Sequence, residues 1–297
     1  MRYSQNTMKG AAFYAGATFM VIVMNSFAKL LSEVHDPIEI VFYRNIVALV
    51  FICAFLTIKR DWHRVKTERP ISHVYRSVLG TLSVVLVFHT YKYLPIADAT
   101  TILYAAPLIV TALSVPMLGE RVGLPRWCAV LVGFIGVMVI SSPEGSETLT
   151  GYFFGIGAAT TIALVSVYLR ELGKTEDSMT TVFWFMVIGT VLTGLYMPFG
   201  GHLPSLTACG IIFIVGTAGL AQQFLKTHGL AMAQAAILTP IQFTGLIWAA
   251  FFGVVLYGDW PEANIWIGAT IVIGANLFIL WREQRKKAMQ VKGEEPL

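Results

Sequence analysis

Apolar runs of about 17 to 22 residues recur from residue 10 to residue 281, each closed by a glycine, proline or acidic cluster. They do not alternate with period two, as the strands of a transmembrane barrel would. Each is close to the roughly 20 residues that a helix needs to cross hydrocarbon. The pattern predicts ten membrane-spanning helices, over about residues 10–31, 38–58, 73–93, 99–118, 126–142, 151–169, 179–198, 206–227, 234–256 and 265–281. Ser-Pro-Glu-Gly at 142–145, Gly-Gly-His-Leu-Pro at 200–204 and Gly-Asp-Trp-Pro-Glu at 258–262 punctuate the gaps. The first apolar segment is long enough to span and a second follows closely, so it reads as the first helix and not as a cleaved signal.

Composition strengthens this reading. Of 297 residues, 56% are hydrophobic and 13% charged, against roughly 25% charged in soluble domains, and mean hydropathy is +0.69. Ten spans leave only short loops, with no room for a soluble catalytic domain. Cys53, Cys128 and Cys209 lie far apart inside apolar segments and offer neither a disulfide framework nor a metal or redox pair. GxSxG, HExxH and GxxxxGK[ST] patterns are missing, so neither an enzyme nor an ATP-driven pump is indicated and no cofactor is implied.

Charge sets the orientation. With the N-terminus inside, the inner segments hold Arg2, Lys9, Lys59, Arg60, Arg64, Lys66, Arg69, Arg76, Arg121, Arg126, Arg170, Lys174, Lys226, Arg282, Arg285, Lys286, Lys287 and Lys292, or 18 of the 21 basic residues. The opposite side carries acids such as Glu33, Asp36, Glu144, Glu147, Asp259 and Glu262. The positive-inside rule then puts both termini in the cytoplasm, for a multi-pass protein of the cytoplasmic (inner) membrane. The net charge of +4 is explained by topology, and nucleic acid is not an expected partner. Lys29, Arg44 and Lys92 stand apart, inside spans or at their outer ends.

The chain also matches itself. Shifted by 141, Gly16 meets Gly157, Lys29 meets Arg170, Phe42 meets Phe183 and Tyr43 meets Trp184. Shifted by 139, Thr100 meets Thr239, Tyr104 meets Phe243, Glu120 meets Asp259 and Trp127 meets Trp266. Two five-helix units follow, residues 1–145 and 146–297, and because five is odd the second is inverted relative to the first. Inverted repeats suit alternating access around a site at the bilayer midplane.

The stretch Tyr93-Leu-Pro-Ile-Ala-Asp-Ala-Thr-Thr-Ile-Leu-Tyr-Ala-Ala-Pro107, the Gly119-Glu120-Arg121 turn and the Phe42-Tyr-Arg-Asn45 run resemble the EamA family of the drug/metabolite transporter superfamily. The segment from Pro240 through Gly258-Asp259 is similar to the same element in that family's second half. The resemblance spans residues 10 to 283. It implies a cavity lined by the first four helices of each unit, with the fifth and tenth peripheral. It also implies transport of a small organic metabolite, such as a zwitterionic amino acid or an aromatic vitamin. Glu39 departs from the family pattern, which has a neutral glutamine there.

Candidate binding residues follow from what lipid tolerates. Arg44 lies about 9 Å inside its span, where a guanidinium needs a cavity or a partner; it reads as an anion clamp, as a pair with Glu39 or as a cap on helix carbonyls. His89 suits proton coupling or a hydrogen-bonded packing role. Tyr104 and Gln242, in matching spans, offer uncharged hydrogen bonds to a ligand, and Gln242 serves equally as interhelical glue. Asn25, Ser83 and Gln222 (with Gln223) are weaker candidates of the same kind. Tyr43, Tyr91, Trp184 and Trp248 form either a stacking wall or ordinary packing. Trp127, Trp260, Trp266 and Trp281 read as interfacial anchors, and Pro107, Pro116 and Pro240 as hinges or static bends. Gly151-Tyr-Phe-Phe-Gly155 permits close helix approach, within the bundle or across a homodimer. The function expected is gradient-driven transport; a membrane receptor or scaffold is the alternative.

Overall fold

The computed structural model describes residues 7–118, 123–140, 146–172, 175–232 and 235–292, and every regular element among them is helical. In order these are α1 (Thr7–Leu31), α2 (Pro37–Lys59), a 3-10 turn (Trp62–Val65), α3 (Pro70–Tyr93), α4 (Ile96–Leu103), α5 (Ala106–Leu118), α6 (Leu124–Ile140) and α7 (Ser146–Leu172). They continue as α8 (Ser178–Gly194), α9 (Met197–Gly200), α10 (Leu206–Met232), α11 (Ala235–Gln242), α12 (Gly245–Phe252), a π-helical turn (Gly253–Tyr257) and α13 (Ala263–Lys292). Among the described residues, eight stretches are long and apolar enough to cross a membrane, and two shorter apolar helices, Leu124–Ile140 and Met179–Gly194, bring the number to ten. The Gly119-Glu120-Arg121 turn, residues 142–145, Arg2 and Lys174 lie outside the described residues.

Local chemistry sets the helix ends. Asp36 caps α2 by accepting the Ile38 N–H at 2.8 Å, with Pro37 at the first helical position, where its missing N–H costs nothing. The helix stops at Arg60 in the left-handed conformation (φ 52°), with the Asp61 N–H donating to the Leu56 carbonyl at 3.0 Å. Gly258 (φ 70°) ends the π-helical turn the same way.

Two helices are broken at matching places. Tyr104 and Ala105 separate α4 from α5, and Phe243 and Thr244 separate α11 from α12. A shift of 139 carries one break onto the other, and carries α5 onto α12 plus the π-helical turn. A shift of 141 carries α2 onto α8 plus α9.

Packing follows the same symmetry. Helix α1 packs on α10 and α3 on α7, while α2 meets α8 and α6 meets α13. Exchanging the halves maps this set of pairs onto itself. The α6–α13 seam rests on glycines: a Cβ on Gly268 would lie 2.6 Å from the Gly136 carbonyl oxygen. Gly151 and Gly155 are filled from within the chain, by Leu94, Tyr93, Ile102 and Thr90 of α3, α4 and their junction. Large apolar side chains such as Val50, Phe55, Phe153, Ile247 and Phe251 point outward. That arrangement is stable where the surroundings are lipid, since hydrocarbon exposes no apolar surface to water.

Candidate functional site

Polar side chains gather where α1, α2, α3, α8 and α10 meet. Arg44, Asn45, Arg76, Ser77, Thr81, Asn25 and Ser26 are all buried. Each has at least one side-chain nitrogen or oxygen without a hydrogen-bond partner among the described residues, including Nε and Nη1 of both arginines. Arg44 lies along α10, and a Cβ on Gly219 would stand 3.0 Å from its Nε and 3.0 Å from Met24 Sδ. Asn45 and Thr81 converge on α8, where a Cβ on Gly189 would lie 2.7 Å from Asn45 Nδ2 and 3.0 Å from Thr81 Oγ1. Arg76 lies over the face of Phe185, 4.1 Å from the ring centroid, and that face attracts the cation without neutralising it.

Such a cluster is costly. A buried neutral polar group without a partner costs about 1–3 kcal/mol, and an arginine at the centre of a membrane helix about 2.5–3.5 kcal/mol or more. The helix breaks add polar backbone inside the bundle. Tyr104 Oη donates to the Gln242 carbonyl at 2.8 Å, and Asn276 Nδ2 donates to the Tyr104 carbonyl at 3.1 Å. These bonds tie one broken helix to the other and to α13.

The two halves are bridged at both ends of the bundle by equivalent residues. At the acidic end, Tyr43 Oη donates to the His202 carbonyl at 2.7 Å, and Glu39 accepts from His35 Nδ1 at 2.7 Å and pairs with His202 Nδ1 at 3.1 Å. At the basic end, Trp184 Nε1 donates to the Val65 carbonyl at 3.0 Å, and Thr180 Oγ1 donates to the Arg64 carbonyl. The shift of 141 carries Glu39 onto Thr180 and Tyr43 onto Trp184. The first two turns of α2 thus hold the loop after α9, and the first two turns of α8 hold the loop after α2, so α2 and α8 run antiparallel.

Charged groups reinforce each end. Arg64 Nη2 pairs with Asp177 at 2.9 Å. Glu176 accepts from Thr67 Oγ1 at 3.0 Å and the Glu68 N–H at 3.3 Å, and stands 3.4 Å from His73 Nε2. Burial opposes ionisation of Glu176, yet the bonds from Thr67 and the Glu68 N–H, with the His73 imidazole close by, outweigh it and hold its pKa below the ordinary carboxylate range. At the opposite end Lys29 Nζ donates to the Leu94 carbonyl at 2.8 Å and lies 3.7 Å from Asp259.

The sequence-predicted residues are distributed as follows. Arg44 and Asn25 belong to the unpartnered cluster, and the ion pair between Arg44 and Glu39 is not formed, because Glu39 turns to the two histidines. Ser83 is buried on α3, and Gln222 is half-buried on α10. Tyr104 and Gln242 meet each other at the helix breaks. Tyr14 Oη approaches Gln242 Oε1 at 3.4 Å. Tyr43 and Trp184 stand at opposite ends, so they share no wall. Tyr91 is buried with its hydroxyl 2.8 Å from Thr100 Oγ1, and Trp248 meets Phe19 edge-on. His89 Nδ1 lies 2.9 Å from its own helix's Val85 carbonyl, and its ring faces Phe154 of α7. Lys92 is exposed. Sequence reasoning missed Arg76, Asn45, Ser77, Thr81 and both end bridges. Because α3 begins at Pro70 and not near residue 73, Arg76 sits a turn deeper than the hydropathy boundary placed it.

The surface groove between α6 and α13, about 520 Å³, is lined by apolar groups such as Leu124, Val132 and Phe278. It lies away from the cluster and offers a metabolite almost nothing polar. Among the described residues no group of three or more His, Cys, Asp or Glu side chains is placed to hold a metal ion.

An inverted ten-helix membrane bundle with a polar interior and two broken helices is the architecture of a membrane transport protein. The EamA-like transporter family model matches the chain twice, over residues 8–142 and 149–281, and the chain belongs to that family. The chain is 24% identical over 268 residues to a protein of Rickettsia bellii named S-adenosylmethionine uptake transporter, covering 89% of this chain and 90% of that protein. It is 25% identical over 261 residues to the pseudopaline exporter CntI of Pseudomonas aeruginosa, covering 87% and 91%. A solved crystal structure superposes with a TM-score of 0.65 at 16% identity, covering 94% of this chain and 98% of the other, which shows a shared fold.

Proposed function

We propose that the chain is a gradient-driven carrier of a small organic metabolite across the cytoplasmic membrane, with both termini inside. Residues 1–145 and 146–297 act as two inverted units that rock about the polar cluster, and the bridges at the two ends break alternately. Arg44 binds an anionic group of the substrate, and Asn25, Tyr104 and Gln242 surround the pathway with uncharged hydrogen-bonding groups. The observation that carries this reading is Arg44 itself, a buried cation whose Nε and Nη1 have no hydrogen-bond partner among the described residues, held between helices of both halves. A purely structural arginine would be paired, since an unpaired one costs stability and returns nothing. Relatives named for uptake and for export fit a carrier whose direction is set by gradients.

The test is counterflow. Proteoliposomes containing the full chain are preloaded with unlabelled S-adenosylmethionine, or with a mixture of amino acids, and entry of the labelled compound is followed without ATP. Saturable exchange that is lost in Arg44→Gln supports the proposal. Exchange unaffected by Arg44→Gln removes Arg44 from the site, and no exchange of any metabolite in a broad panel removes the carrier reading.

A further inference from the structure

We propose that Arg44 and Arg76 together form one site for a dicarboxylate metabolite, an inference that rests on the transport reading above and narrows its substrate class. Both side chains are buried, at 3% and 5% exposure, and both leave Nε and Nη1 unpartnered among the described residues. A guanidinium stays charged in a protein and presents a planar fork that matches a carboxylate. Among the described residues, the buried carboxylates at the two ends are already engaged. Glu39 is held by His35 and His202 at the acidic end, and Glu176 by Thr67, the Glu68 N–H and His73 at the basic end. Each bridge consumes its own acid and leaves two fixed positive charges inside.

The two arginines enter from opposite ends. Arg44 is seven residues into α2 from the acidic end and Arg76 six residues into α3 from the basic end. By helix rise their levels differ by roughly 14 Å, less the reach of the side chains. Between them lie Asn45 and Thr81, both against Gly189 and both with unpartnered polar atoms. The order is cation, neutral hydrogen-bonding groups, cation, which complements a ligand with an anion at each end and a shorter polar body. A ligand with one carboxylate and a net positive charge, such as S-adenosylmethionine, leaves one guanidinium unmet and opposes the field.

The experiment measures thermal stabilisation of the detergent-solubilised full chain by succinate, glutarate, adipate, pimelate and suberate, each against its own monoamide at equal ionic strength. One chain length among these dicarboxylates is expected to bind at least tenfold tighter than its monoamide. Arg44→Gln and Arg76→Gln should each reduce that dicarboxylate to the level of the monoamide, and Arg76→Lys should retain part of the difference. Equal binding of dicarboxylate and monoamide to the wild type, a comparison that needs no variant, overturns the proposal. So does a preference that survives Arg76→Gln. Monoamide binding that depends on Arg44 with no gain from a second carboxylate overturns the dicarboxylate assignment and leaves the Arg44 reading standing. Failure of every compound to bind overturns the dicarboxylate assignment alone, and the Arg44 reading then stands or falls with the counterflow panel.

Discussion

If Tyr43 and Trp184 are equivalent fasteners at opposite ends, removing them one at a time must tilt the carrier in opposite directions. Tyr43→Phe deletes the 2.7 Å bond to the His202 carbonyl, and Trp184→Phe deletes the 3.0 Å bond to the Val65 carbonyl. Each is a neutral hydrogen bond that water replaces when that end opens, so its net contribution is about 1 kcal/mol. At about 1.4 kcal/mol per factor of ten, each substitution should change the ratio of the two open states by about fivefold. The two sites are separated by well over 10 Å along the bundle, and effects at that distance add. The double variant should therefore return to within about twofold of wild type.

The assay is a pair of distance measurements by electron–electron double resonance in liposomes, in a background with Cys53, Cys128 and Cys209 replaced. Spin labels at Val34→Cys and Leu203→Cys report the acidic end, and labels at Lys66→Cys and Thr175→Cys report the basic end; all four positions are exposed. Tyr43→Phe should raise the long-distance population at the acidic pair and lower it at the basic pair, with Trp184→Phe doing the reverse. Two single variants that shift both pairs in the same direction, or a double variant as displaced as either single one, would refute the equivalence.

Three further outcomes are expected. The depressed pKa of Glu176 means that its contribution to the basic-end bridge is fully present above the ordinary glutamate value of 4.5 and is lost as pH falls through the lower folded value. Glu176→Gln should therefore open the basic pair at pH 7 and abolish the component of acid-induced opening that the wild type shows. Gly219→Ala places a Cβ 3.0 Å from Arg44 Nε, so it should weaken carboxylate binding about tenfold, the loss of one charge-assisted hydrogen bond of about 1.5 kcal/mol, with little change in melting temperature. Gly268→Ala drives a Cβ to 2.6 Å from the Gly136 carbonyl oxygen and into Ile140. It should cost about 1–3 kcal/mol by overpacking, read as a lower melting temperature with unchanged affinity.

Much of the fold is legible in the sequence because lipid allows so few solutions. A spanning segment must be apolar, of fixed length and helical, so hydropathy alone finds the ten helices. The 141 and 139 shifts find the repeat, because equivalent helices begin and break at equivalent residues. The site is less legible, for two physical reasons. A basic residue near a span end has a sufficient explanation in topology, which hid Arg76 among inner-side charges until the start of α3 at Pro70 set its depth. A hydrogen bond to a backbone carbonyl leaves no mark on the residue that accepts it. Tyr43 and Trp184 therefore match each other in the repeat, while nothing in the sequence names His202 or Val65 as their partners.

What the repeat conserves and what it breaks divide the labour of a carrier. The features related by the shifts are mechanical: the breaks at Tyr104 and Phe243, and the fasteners Glu39 with Tyr43 and Thr180 with Trp184. Under the proposed alternating access, equivalent parts on inverted halves would give the two ends similar opening energies, which a reversible carrier needs. The polar cluster disobeys the symmetry. A shift of 141 places Phe185 where the first half has Arg44 and Met186 where it has Asn45, and Phe185 is the ring beneath Arg76. One half supplies the charges and hydrogen-bonding groups, while the other supplies the glycines and the aromatic face on which they rest. A symmetric cluster would put guanidiniums on both halves and nothing soft against which to bury them. Because charge and cradle sit on different halves, a rocking of one half against the other, as proposed above, would change the geometry around Arg44 and Arg76 and so couple ligand binding to the opening of the ends.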